Sequence, residues 1–378
     1  MKNILFVIAS FGVTIIAWGL YGPTLHIGQH DMSLVDGAFA RWRPFVCVGM
    51  SYFLIGVLVP AVLLATKGEK GAWTVSGATM SLLAGVLGAL GALGIVLAFT
   101  FGGRPEVVMP LVFGGAPVVN SFITIYMARK MKEIGPVFLA GLVMVVLGAV
   151  TVLTFKPTAH PPHPPVTAEV DALGEEQHDS VADEIASDAK QAAVVGSSVV
   201  FQILSIAMVV CCWGSYGPSL HHGQSAMKGS RLRPLLCVGL SYFAIAVLVP
   251  NLLLSVVTVE ASEYNLSGTF WSLAAGAAGA IGALGIIMAF NFGGKPVYVM
   301  PLVFGGAPVV TTFASILGTD AMSQTSPFRM AIFFAGLMLV IAGSAMVLVF
   351  APRGAPPKQA AATAAEPAES TPIGDAAE

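Results

Sequence analysis

The stretch VMPLVFGGAPVV at Val108 to Val119 returns letter for letter at Val299 to Val310. Each copy is an apolar, helix-like run interrupted by a Gly-Gly-Ala-Pro sequence: Gly114, Gly115 and Pro117 in the first, Gly305, Gly306 and Pro308 in the second. Proline lacks a backbone donor and its ring crowds the preceding turn, while glycine tolerates the distortion that results. The reading predicts a helix break at each place. In lipid, the backbone groups freed by a break need protein or a water-lined cavity around them, and interrupted spans at matching places in two halves point to a transporter's substrate site.

The matching extends well beyond this motif. WGLYGPTLHIGQ (Trp18 to Gln29) is answered by WGSYGPSLHHGQ (Trp213 to Gln224), and RWRP from Arg41 by RLRP from Arg231. LVP ending at Pro60 corresponds to LVP ending at Pro250, GALGALGI ending at Ile95 to GAIGALGI ending at Ile286, and FGGRP from Phe101 to FGGKP from Phe292. The chain is therefore an internal duplication.

Of the 378 residues, 56% are hydrophobic and 10% charged, and mean hydropathy is +0.83. These values place the chain among membrane proteins. A net charge of −2 with no basic tract argues against nucleic acid as a partner. Cys47, Cys211, Cys212 and Cys237 lie in apolar runs without metal-type spacing and read as small buried hydrophobes.

Apolar segments long enough for a bilayer core of about 30 Å fall near Asn3 to Gly22, Phe45 to Thr66, Ser81 to Phe101, Val107 to Ala128 and Pro136 to Phe155. The second half repeats them near Ser197 to Gly217, Leu235 to Thr258, Phe270 to Phe292, Val297 to Gly318 and Met330 to Ala351. The first resembles a secretory leader, but its landmarks recur around Trp213, deep in the chain, so it reads as a retained span. The expected fold is an all-α polytopic membrane protein of ten transmembrane helices in two inverted five-helix repeats, since an odd number of spans turns the second copy over. The parts are a first repeat at 1–156, a Pro-rich and acidic non-cytoplasmic linker at 157–195, a second repeat at 196–352 and a disordered cytoplasmic tail at 353–378. The linker's few apolar residues and high charge leave it disordered or loosely helical. Its His160 and His163 read as part of an extended segment, with metal binding the alternative.

Loop charge supports inversion. With both termini cytoplasmic, twelve of the 18 Lys and Arg residues collect on the inner face, as the positive-inside rule requires. Lys67 and Lys70 in the first copy are read as giving way to Glu260 and Glu263 in the second.

Several residues are candidates for function. Gly85, Gly88, Gly91 and Gly94, like Gly276, Gly279, Gly282 and Gly285, recur every three residues, which leaves a side-chain-free groove for close packing or for one bundle rocking on another. Trp18, Tyr21, His26 and Gln29, with Trp213, Tyr216, His221 and Gln224, combine aromatic rings with hydrogen-bonding groups. They suit either an interfacial belt or a small polar ligand. Asn120, Ser121 and Thr124, with Thr311 and Thr312, place neutral polar groups after the Gly-Gly-Ala-Pro sequence, for substrate contact or for back-bonding to local carbonyls. Arg41, Arg43, Arg231 and Arg233 are candidates for anchoring or gating at the two mouths. No carboxylate falls inside a segment as drawn, so a proton relay is unsupported. There is no acid, base or metal constellation of an enzyme, and no cofactor is expected.

Two inverted five-span repeats with both ends inside resemble the drug/metabolite transporter superfamily, including EamA-like permeases. WGxYGPTLxxGQ followed by RWRP is similar to the opening of its glucose/ribose porter and rhamnose symporter branches. The resemblance implies alternating-access transport across the cytoplasmic membrane, with the site between the repeats near the midplane. The expected function is therefore a permease for a small polar metabolite, a sugar among the candidates. An exporter of drugs, amines or metabolites and a non-transporting scaffold or sensor are the alternatives. Expected partners are the substrate and the lipid bilayer; a coupling ion, proton or sodium, and a homodimer are left open.

Overall fold

The computed structural model describes residues 2–35, 39–101, 105–127, 129, 134–157, 181–256, 260–316 and 321–350. His160, His163, Arg104 and the tail from Pro356 to Glu378 lie outside them, as does most of the linker.

Among the described residues ten long helices follow one another: α1 (Lys2–Asp31), α2 (Trp42–Thr66), α3 (Val75–Thr100), α4 (Pro105–Met127), α5 (Pro136–Phe155), α6 (Val181–Ala226), α7 (Leu232–Val256), α8 (Leu266–Asn291), α9 (Pro296–Ile316) and α10 (Pro327–Phe350). Among the described residues the extended backbone is confined to a single bridge between Ser33 and Ser262. Among the described residues nine of the helices are long and apolar enough to cross a membrane, and α4 contributes a shorter apolar stretch, Leu111–Met127. The chain is an all-α, multi-pass membrane protein. Helix α6 starts at Val181, so the C-terminal part of the acidic linker is a helical extension of the span that follows it.

The two halves exchange helices. Helix α1 packs along α8 and α6 along α3, so the first helix of each half lies on the third helix of the other. The glycine stripes are the seats. Trp18 Nε1 donates to the Gly279 carbonyl at 3.1 Å, and Trp213 Nε1 to the Gly88 carbonyl at 3.2 Å. A methyl group on Gly282 would run into the Trp18 ring, and one on Gly91 into the Trp213 ring. One step along, a Cβ on Gly279 would lie 2.9 Å from Tyr52, and one on Gly88 would lie 2.9 Å from Tyr242. Ser51 and Ser241 donate across the same contacts, to the Leu273 carbonyl at 2.7 Å and the Leu82 carbonyl at 2.9 Å. An indole N–H in an apolar interior needs an acceptor, and glycine lets the ring reach a helix carbonyl. The groove is thus filled by the partner half's aromatic rings.

Helices α2 and α7 cross at the centre, where Tyr52 and Tyr242 stack with centroids 3.7 Å apart and planes 3° from parallel. Immediately after these tyrosines both helices widen into a π-turn, Leu54–Leu58 and Ala244–Leu248. Pro60 and Pro250 follow, each without the donor a regular turn requires, and the extra residue in the turn takes up the misfit. The π-turn also lets the backbones meet, with a Cβ on Gly56 only 3.1 Å from Gly239 Cα.

The expected breaks at Gly114, Gly115 and Pro117 and at Gly305, Gly306 and Pro308 are not found: α4 and α9 run through them as continuous helix. Proline lacks only its own donor, and a helix buried among neighbours retains its other hydrogen bonds. The glycines serve packing instead. Gly115 admits Val210, Gly305 admits Val145 and Gly306 admits Ile15.

If these seats hold the halves together, Gly91→Ala and Gly282→Ala each overpack the core at a cost of about 1–3 kcal/mol. Thermal unfolding in detergent is expected to shift down by several degrees for both, while Gly12→Ala, whose added methyl meets nothing within 4 Å, leaves it unchanged.

Candidate functional site

The C-terminal halves of α4 and α6 run side by side, with Gly214 against Val119 and Gly217 against Asn120, and both meet the first turn of α9. Glycine at 217 makes this closeness possible, since a Cβ there would press on the Met300 side chain and on Asn120 Oδ1. Between these elements lies a recess of about 350 Å³, within the range of small-molecule sites. It is lined by Thr124, Ile125 and Met127 of α4, by Pro218, His221, His222 and Ser225 of α6, and by Lys295, Pro296 and Val297.

Helices α4, α6 and α9 also carry aromatic rings that meet one another and Trp18 of α1. Trp18 lies 6.2 Å from Tyr216 and 6.5 Å from Phe304, centroid to centroid. Phe113 lies 6.4 Å from Trp213 and 6.3 Å from Phe304. His221 meets Phe290 edge to face at 5.0 Å.

Two lining residues carry buried polar atoms with no partner among the described residues, Thr124 Oγ1 and His221 Nδ1, and the same holds for Asn120 Oδ1, Ser121 Oγ, Tyr216 OH and Gln224 Oε1 in the same two helices. Two amide orientations follow from chemistry. Asn120 Nδ2 donates to the Pro296 carbonyl at 2.9 Å and Gln224 Nε2 to the Ile287 carbonyl at 3.0 Å. Turning either amide over would set oxygen against oxygen. Asn120 and Gln224 therefore present carbonyl oxygens close to a recess whose own lining carries the Lys295 side chain beside His221.

Of the sequence-derived candidates, the structure brings Thr124 and His221 to the recess, with Asn120 bonded to its rim residue Pro296. Tyr216 and Gln224 are buried in the same helix. The matching residues of α1 are placed differently. Tyr21 is half-buried, His26 is exposed and meets Phe39 edge to face at 4.6 Å, and the Gln29 backbone carbonyl accepts from Ala40 N at 2.9 Å. Trp18 and Trp213 use their N–H groups on glycine carbonyls, so neither has a donor left for a ligand. Thr311 donates to the Gly19 carbonyl at 2.7 Å, and Thr312 back-bonds to the Pro308 carbonyl at 2.9 Å.

The four arginines do not line the recess; they belong to two reciprocal helix caps. Glu69, in the loop after α2, accepts from Arg231 N at 2.9 Å, Leu232 N at 3.1 Å, Arg231 Nε at 3.1 Å and Ser230 Oγ at 2.6 Å, with Arg233 at 3.8 Å. Glu260, in the loop after α7, accepts from the backbone of Arg41 and from Trp42 N at 3.0 Å, while Arg43 donates to Ser262. Arg233 lies over Trp73 at 5.8 Å, and Arg43 over Tyr264 at 5.6 Å. A carboxylate across a helix N-terminus satisfies orphan donors and meets the positive end of the dipole. The counterpart of Glu260 is thus Glu69, which reading Lys67 and Lys70 against Glu260 and Glu263 overlooks. Tyr52 and Tyr242 were also missed, although the triplet SYF occurs at 51–53 and 241–243.

No protein-family model matches this chain, and no curated protein matches it. A solved structure described only as that of a protein aligns with 90% of this chain and 95% of its own length at a TM-score of 0.55 and 16% identity. That likeness is one of fold.

Burial pushes the Glu69 carboxyl up, but the hydrogen bonds from Ser230, Arg231 and Leu232 outweigh it and hold the pKa below the ordinary value of 4.5. A group depressed in the folded state contributes fully above its unfolded pKa and loses that contribution as pH falls through the folded one. Melting temperature is therefore expected to fall on acidification below about pH 4.5. Glu69→Gln should lower it near neutrality and flatten the acid limb; an unchanged acid limb in this variant would remove Glu69 as the cause.

Proposed function

We propose that this protein is a secondary transporter of the cytoplasmic membrane that moves a small, neutral, polar metabolite of the sugar or polyol class by alternating access. It does so as ten spans in two inverted five-helix repeats, a member of the drug/metabolite transporter kind. The observation that carries the reading is an asymmetry between two nearly identical stretches. In α6, Tyr216, Gly217, Leu220 and Gln224 are buried, and Gly217 is closed over by Met300 and Asn120. In α1 the matching Gly22 and His26 are exposed, and a Cβ on Gly22 meets nothing within 4 Å. Met300 is fully buried, whereas the matching Met109 is half-buried. Two copies of one motif, one closed and one open, are what a transporter resting in one of its two states presents.

The reciprocal caps support the inverted layout. The end of α2 meets the start of α7 through Glu69, and the end of α7 meets the start of α2 through Glu260, so these matched helices run in opposite directions. With the N-terminus cytoplasmic, as the loop charge favours, the open end faces outward. Thr124 and His221 in the recess, with buried Asn120, Tyr216 and Gln224 in the same helices and Lys295 at its edge, give a polar ligand several hydrogen-bonding groups beside aromatic rings.

Two measurements test this. Cysteines replacing the exposed Lys67 and Glu263 are expected to react with a membrane-impermeant maleimide from opposite sides; labelling from one side would end the inverted reading. In proteoliposomes, counterflow of labelled sugars and polyols is expected, with Thr124→Val and His221→Phe raising half-saturation about tenfold, the factor that about 1.4 kcal/mol of lost contact gives. Absence of counterflow for every neutral solute, with the protein folded, would overturn the substrate class.

A further inference from the structure

Pro23 inside α1 and Pro218 inside α6 bring no N–H to the carbonyl one turn earlier, that of Gly19 in the first helix and that of Gly214 in the second. In a membrane such a carbonyl needs another donor. Gly19 has one, the Thr311 hydroxyl of α9 at 2.7 Å. The packing around Gly214 is matched. A Cβ on Gly19 would press on Val310 Cβ and lie 2.9 Å from the Ala307 carbonyl oxygen, and one on Gly214 would press on Val119 Cβ and lie 3.0 Å from the Ala116 carbonyl oxygen. Residue 120 of α4 therefore stands to Gly214 as residue 311 of α9 stands to Gly19. It is asparagine, fully buried, and its Nδ2 turns to the Pro296 carbonyl at 2.9 Å. Beside α6 it leaves Oδ1, which lies 3.0 Å from the place of a Cβ on Gly217 and has no partner among the described residues. An amide oxygen accepts and does not donate. At one end a hydroxyl meets the freed carbonyl; at the other a second acceptor stands beside it.

We infer that Asn120 Oδ1 and the Gly214 carbonyl are the pair that sets specificity, taking hydrogen bonds from two hydroxyls of the sugar or polyol when α6 parts from α4. The substrate then does for Gly214 what the Thr311 hydroxyl does for Gly19 within the protein. The inference rests on the transporter reading and adds to it the groups that choose the substrate. The pair adjoins the recess, whose wall includes Pro218 of α6 and Thr124, one turn beyond Asn120 in α4. Acceptors held together in an apolar surround are costly to leave without donors, and a site of that kind rejects a ligand that lacks the hydroxyl. Threonine at 120 would remove the mismatch by donating to Gly214. The Pro296 carbonyl, at the start of the regular helix α9, would keep the backbone donor one turn on.

Asn120→Thr separates recognition from structure. Without ligand, in detergent, its melting temperature is expected to rise by a few degrees, because an unmatched acceptor is gone and a freed carbonyl is bonded. In proteoliposomes, the sugar or polyol with the strongest counterflow is compared with its monodeoxy analogues. The unsubstituted protein is expected to take the analogue lacking either bonded hydroxyl about tenfold more weakly than the parent, the factor that about 1.4 kcal/mol of hydrogen bonding gives. Asn120→Thr is expected to weaken the parent to the level of those analogues and to remove the difference between them. Discrimination retained in Asn120→Thr overturns the inference, and a lowered melting temperature with it would make Asn120 only a tie between α4 and α9. An unsubstituted protein indifferent to every single hydroxyl also overturns it while transport stands, and this comparison decides the matter should Asn120→Thr fail to give monodisperse protein. Absence of counterflow for every neutral solute overturns the substrate class and this inference with it.

Discussion

Two indole N–H groups, each donated to a glycine carbonyl in the other half of the chain, hold the molecule in its present form. Trp18 on Gly279 and Trp213 on Gly88 require that α1 lie along α8 and α6 along α3. In a lipid-embedded protein hydrophobic burial does little to bring helices together, because lipid is as apolar as the helix surface. Shape fit and internally satisfied polar groups do the work instead. A stripe of glycines without side chains gives both at once: a slot of the ring's width and carbonyls within reach of its nitrogen. The two halves are therefore interlocked rather than placed side by side, and neither has a complete interior without the other.

The same reciprocity governs the ends and the middle. Each loop after the second helix of a half supplies the carboxylate that caps the second helix of the other. At the centre the two second helices stack their tyrosines and widen into matching π-turns. Contacts of this kind, repeated with only small differences on the two sides, resist separation of the halves. Burial differs between copies in α1 against α6, as at Gly22 and Gly217, and in α4 against α9, as at Met109 and Met300. Met300 is buried and Met109 half-buried, and Asn120 donates to the Pro296 carbonyl while Thr311 donates to the Gly19 carbonyl.

Neutral polar atoms without protein partners gather where α4, α6 and α9 converge. In a water-filled cleft they would carry little meaning. Among apolar helices each is costly to leave unpaired, as at Asn120, Thr124, Tyr216 and His221. Trp18 and Trp213 are structural, and the arginines expected at the mouths are parts of helix caps.

Composition, hydropathy and repetition were enough to read from the sequence that the protein is helical, crosses the membrane several times and is built from two related halves, because helix length and apolar content answer directly to the thickness and dryness of the bilayer. The residues Asn120, Thr124, Tyr216 and His221 could be picked out for the same reason: a polar group in an apolar run is conspicuous. The tertiary structure decided what these residues touch. Gly-Gly-Ala-Pro looks like a break when a helix is considered alone, and remains helix once Val210, Val145 and Ile15 occupy the space its glycines leave. The pairing of Glu69 with the second half and Glu260 with the first joins residues more than 160 positions apart. Local spacing and propensity carry no information about such a partner, which is set only when the two halves fold into one another.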